Sequence, residues 1–215
     1  MLFRCGRRAT LALVVLTAGC RLLRPIPETA ENQSPAEAVE TSRPMEATPT
    51  GVVVSAPLPE RVGDLDDDNI AAMLLASNNT DISYARLVPS RAQRDEVRQF
   101  AQRMLTDHIG VNALLTETLA KIDLVAKDNL ASLDMRDESA ARRDAMRDLT
   151  GFAFDSAYII NEISYHQRFL ASLDQLMLPR VRNGELKTLL NSVRPAVAAH
   201  LAHAEQVWAN VMTRR

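Results

Sequence analysis

Between residues 184 and 212, Leu186, Leu190, Val193, Val197, His200, Ala204, Val207 and Val211 follow one another at alternating spacings of four and three. A stripe sustained for nearly four such repeats belongs to one face of a long amphipathic helix. It can be buried only against other elements of similar length. Three further segments carry matching stripes. Residues 68–88 place Ile70, Met73, Leu74, Ser77, Asp81, Tyr84 and Val88 on one face, and residues 94–122 do the same with Val97, Ala101, Met104, His108, Val111, Leu115 and Ile122. Residues 154–177 align Ile159, Glu162, His166, Phe169, Leu173 and Leu176. Pro89 and Pro179 close the first and third of these, and Pro195 predicts a modest kink in the last. Two long helical hairpins bury four stripes most simply as an antiparallel four-helix bundle, so the expected class is all-α. A short extra helix is expected over residues 137–149, ended by Gly151.

Composition agrees, because aromatic residues are 4% of the chain and its apolar content is mainly Ala, Leu, Val and Met. The balance of 25 basic and 27 acidic residues provides no basic stripe for nucleic acid. Arginines around residues 91–103 and 136–147 alternate with acids, as on solvated helix faces. After the start of the helical region the only glycines are Gly110, Gly151 and Gly184, so no phosphate-cradling loop is present, and no serine stands in a nucleophile elbow. The run of Asp64, Asp66, Asp67 and Asp68 is not a calcium loop: Asn69 and Leu75 stand where the glycine and bidentate glutamate belong. It reads as a helix N-terminus.

Residues 1–19 read as an export signal. Arg4, Arg7 and Arg8 precede an apolar run over residues 9–18 that is too short to span a bilayer, and Thr17-Ala18-Gly19-Cys20 resembles a relaxed lipobox. Cys20 is therefore the expected lipidated N-terminus, and the expected partner is a membrane of the bacterial envelope, with the outer membrane favoured by Arg21. Residues 20–63 hold seven of the ten prolines without apolar periodicity, which suits a disordered tether. Residues 64–215 form the expected folded domain, with no cysteine for a disulfide or a thiolate ligand.

The polar residues on the seams are the functional clue. Asp81, His108, His166 and His200 occupy core positions on four different helices, where each costs free energy unless paired. Counting from each hairpin turn at 1.5 Å per residue puts all four near one depth, on the order of 20 Å from it. Three imidazoles and a carboxylate suit Zn²⁺, Fe²⁺, Mn²⁺ or Cu²⁺. Glu162, one turn before His166, is a candidate fifth ligand or supporting group. Asp107, Asp155, Tyr158 and His203 are candidate supporting or flanking residues. Two other readings remain open: a buried polar network in which the residues satisfy one another, as in a noncatalytic structural, stress or protein-interaction module of the envelope, and a small-molecule pocket. The residues three before His108, His166 and His200 are Leu105, Ile163 and Val197, so the dinuclear carboxylate pattern is absent.

The segment from Glu96 to Met104 followed by Asp107-His108, the block from Gly151 to Tyr158 leading to His166, and Pro195 with His200-Leu201 together resemble the family of domain of unknown function 4142. The resemblance implies an exported protein with a ferritin-like helical bundle and no established activity. That family usually carries Glu where this chain has Asp81.

Overall fold

A computed structural model describes residues 65–213, and the signal, Cys20 and tether assignments lie outside them. Five helices follow in order: α1 (Asp67–Ala85), α2 (Asp95–Lys121), α3 (Leu130–Met146), α4 (Gly151–Ser172), extended by a π-turn over Leu173–Met177, and α5 (Gly184–Thr213). No strand occurs among the described residues. Helix α1 packs on α2, α2 on α5, α5 on α4, and α4 on α1, which closes the four-helix bundle. Helix α5 continues through Pro195.

The helix ends are fixed by side chains that satisfy otherwise unpaired main-chain N–H groups. The Asn183 side chain accepts from the N–H groups of Glu185 and Leu186 at 2.9 and 3.2 Å, which caps α5. Asp67, at the head of α1, accepts from the N–H groups of Arg182 and Asn183, both at 2.9 Å. It thereby ties the start of α1 to the start of α5.

Helix α3 differs from expectation. It begins at Leu130 and ends at Met146, earlier and longer than a helix over 137–149, and it lies along α1 with a smaller contact to α4. Asn129 and Ser132 start it through a reciprocal capping box. Gly151 does not end this helix but opens α4, at φ 61°, with its N–H donated to Arg91 O at 2.9 Å. Because α1 lies between α2, α4 and α3, it is buried nearly all round, including Asn78 and Thr80, which are not on its apolar stripe.

Two apolar clusters fill the bundle. One gathers Met73, Leu74, Leu115, Phe169, Leu173, Leu190 and Val197. The other gathers Tyr84, Phe100, Met104, Phe154, Tyr158, Ile159, Ala204 and Val207. Along every main helix the polar seam residue falls between a member of one cluster and a member of the other. The bundle thus holds a polar layer between two hydrophobic halves.

Candidate metal centre

The four seam residues meet in that layer. His108 Nε2 stands 3.2 Å and His166 Nε2 3.4 Å from Asp81 Oδ2. The His200 ring lies 5.3 Å from that of His108 and 5.5 Å from that of His166, centroid to centroid. The donors form two overlapping groups, His108–His166–His200 and Asp81–Glu162–His166. In each, one ligand atom per residue lies within 4.8 Å of the others. Asp81, Glu162 and His166 are fully buried, and His108 and His200 nearly so.

Each imidazole is held from outside the layer by one nitrogen. His108 Nδ1 is 2.9 Å from Asn78 Oδ1, His166 Nδ1 is 2.9 Å from the main-chain carbonyl of Glu162, and His200 Nε2 is 2.9 Å from Asp107 Oδ2. All three partners are acceptors, so each of these nitrogens carries the proton in the neutral ring. The remaining nitrogens, His108 Nε2, His166 Nε2 and His200 Nδ1, are left as buried lone-pair donors with no hydrogen bond. Both carboxylate oxygens of Asp81 and of Glu162, and the Tyr158 hydroxyl, are also buried without one. Buried polar groups are ordinarily satisfied. The approach of Asp81 to His108 and His166, at 3.2 and 3.4 Å, is close but poorly aligned, so Asp81 and His108 are at most a weak pair.

Electrostatics separates the groups. Burial pushes the Glu162 carboxyl well above the usual carboxylate range, and neighbouring Asp81 pushes it further, which favours the neutral acid. Burial would raise Asp81 as well, but His108, His166 and His200 together outweigh it and hold Asp81 below its ordinary value. His108 is raised because the attraction of Asp81 exceeds the cost of burial. Burial lowers His166 to about 4, helped by repulsion from His108 and His200, and it also lowers His200. Tyr158, beside Glu162, stays protonated because burial drives its hydroxyl far upward.

A run of amides supports His108. Asn78 Nδ2 donates to Asn112 Oδ1 at 2.9 Å, and Asn112 Nδ2 donates to Asn79 Oδ1 at 3.0 Å, so one unbroken polarity runs from the ring to the surface. These three asparagines were not among the sequence candidates. Their signal is spacing: Asn78 is one turn before Asp81 and Asn112 one turn after His108. Asp107 does support His200, and is itself held by Arg103 at 2.8 Å. Asp155 is placed elsewhere: its carboxylate accepts from the N–H groups of Gln93 and Arg94 at 3.1 and 3.0 Å and so fixes the segment that leads into α2. His203 is exposed and packs edge-on against Phe100 at 5.1 Å, outside the layer.

The profile of DUF4142, a domain of unknown function, matches residues 54–207. No functionally curated protein matches the chain. Among solved structures, the crystal structure of a DUF305 protein from Streptomyces coelicolor, designated a secreted protein, superimposes with a TM-score of 0.57 at 13% identity. The match covers 66% of this chain and 91% of that one. At this identity the likeness is one of fold.

Proposed function

The chain belongs to the DUF4142 family, and from that starting point we propose that its bundle holds one divalent transition-metal ion in the layer formed by His108, His166, His200 and Asp81. The observation that carries the reading is the orientation of the three imidazoles. Each spends one N–H on an outer acceptor and keeps a bare nitrogen in the layer. Metal-binding histidines are fixed in this way. A self-satisfied polar network would instead turn those nitrogens to donors.

Charge supports the same reading. A divalent ion brings two positive charges and Asp81 one negative one, and the field of the ion would draw the proton from Glu162, which burial and Asp81 keep neutral in the metal-free layer, so that the loaded layer becomes neutral as a unit. The donor set of imidazole nitrogen and carboxylate oxygen suits Fe²⁺, Mn²⁺, Zn²⁺ or Cu²⁺. The depth of the layer suits an ion retained in place better than one that meets a bulky substrate.

The domain is placed in the bacterial envelope, anchored by lipid at Cys20 and spaced from the membrane by residues 21–63. This rests on the signal-like segment and its lipobox-like end. No described helix is long and apolar enough to cross a membrane.

The test is thermal melting of metal-free protein with each of the four ions added in turn. Binding to the folded state alone raises Tm by about the amount that mass action requires, with ion at a hundred times Kd adding about 2.7 kcal/mol. His166→Ala should cancel the rise. If none of the ions raises Tm, the histidines serve a structural, noncatalytic envelope module.

A further inference from the structure

The polar layer reaches solvent on one side. Asp81, Glu162 and His166 are 0% exposed and His108 3%, whereas His200 is 5% exposed and its partner Asp107 has 32% of its side chain accessible. Beyond Asp107 stands Arg103, whose Nε donates to the same Oδ2 that receives the His200 Nε2 proton. Accepting the metal reading of the layer, we propose that the His200–Asp107–Arg103 corner is the gate through which the cation enters and leaves, with Asp107 as the positioning residue that latches it.

A sealed layer can load only if one donor swings aside. The His166 ring is fully enclosed and its Nδ1–H is bound to a main-chain carbonyl of its own helix, so turning it strands a buried ring N–H that no water reaches. His108 is tied to Asn78, which is itself 0% exposed. His200 differs, because the bond that holds it ends on a carboxylate that water reaches. When the ring turns, solvent can replace the lost partner of Asp107, and the opening costs less than at either other histidine. The amide run from His108 through Asn78 and Asn112 also leads outward, but it passes through the fully buried Asn78, whereas the His200 route opens directly on the half-exposed Asp107. The bond from His200 is charge-assisted, and Arg103 holds its acceptor in place, so the latch is closed at rest.

The probe is Zn²⁺ uptake by metal-free protein and its withdrawal by a chelator, both followed by stopped flow. Asp107→Ala should speed uptake and release at least tenfold each, while the equilibrium affinity changes by less than either rate. Asn78→Ala, which loosens His108, should weaken affinity without faster uptake. Should Asp107→Ala fail to fold, Arg103→Gln leaves the His200 bond in place but frees its acceptor, and should accelerate both rates to a smaller degree. Unchanged rates in these variants would overturn the gate, as would faster release with unchanged uptake, which would make Asp107 a stabilising contact only. A wild-type protein that binds Zn²⁺ yet shows those results loses the gate and keeps the metal centre; one that takes up no ion loses both.

Discussion

Asp81 Oδ2 and His108 Nε2 lie 3.2 Å apart in the centre of the bundle, and neither atom makes a hydrogen bond. With no proton between them these two lone-pair atoms repel, so a positive charge is favoured there, and for that reason Asp81 is pulled down and His108 up from their ordinary pKa values against the cost of burial. Two lone-pair atoms facing each other without a donor between them are arranged as ligands around a shared cation. The account of the layer as a metal centre rests on this misalignment and on the outward ties of the three imidazoles.

Acid should destabilise the metal-free protein through His166. In the fold this ring resists its proton until about 4, whereas the unfolded chain takes one near 6.5. The unfolded state therefore binds more protons between those values, and stability falls as pH drops from about 6.5 to about 4, by on the order of 3 kcal/mol from this group. Urea unfolding across that range checks it. His166→Gln should flatten the slope, and an unchanged slope would assign the acid sensitivity elsewhere.

Asn78→Ala should weaken metal affinity by about 10- to 100-fold while leaving helix content intact, because His108 loses the acceptor that fixes its tautomer. Equilibrium titration beside circular dichroism measures both. Equal affinity in the variant would show that the amide run does not set the ligand.

Asp155→Ala should lower stability by about 1–3 kcal/mol, because the N–H groups of Gln93 and Arg94 lose their acceptor, and should leave metal content unchanged. A variant that loses the metal but keeps its melting temperature would return Asp155 to the centre.

Gly151→Ala should destabilise by about 1–2 kcal/mol, since φ 61° is costly for a residue with a Cβ. The added carbon would also stand 3.3 Å from Gln93 Oε1. Denaturant unfolding reads this directly, and a neutral result would mean that the α3–α4 junction relaxes freely.

The bundle was legible in the sequence because its stripes are long and regular. The heptad over residues 184–212 corresponds to α5 within one residue at its C-terminal end. Helix α3 was poorly placed for a physical reason: it buries little beyond Ala131, Ser132, Ser139 and Met146, and it leaves Leu130 and Leu133 exposed. Its strongest local sign was the cap at Asn129 and Ser132 rather than any periodicity. Face and depth together brought Asp81, His108, His166 and His200 to one layer. His203, read as a flanking residue, makes a second consecutive step of three after Val197 and His200 and so rotates off the seam into an exposed position. Face and depth misled for Asp155, eleven residues and so about 16 Å along the helix from His166. The asparagines escaped notice because an amide on a helix face looks solvated until a neighbouring helix covers it, as α2 covers Asn78.

Elemental analysis of the native protein, purified without an affinity tag or chelator, decides whether the histidine layer holds a metal. The wild type should carry close to one transition-metal ion per chain and His166→Ala only background content, with both proteins helical by circular dichroism. A wild type that carries no more metal than His166→Ala, and gains none on exposure to Zn²⁺, Fe²⁺, Mn²⁺ or Cu²⁺, would contradict it.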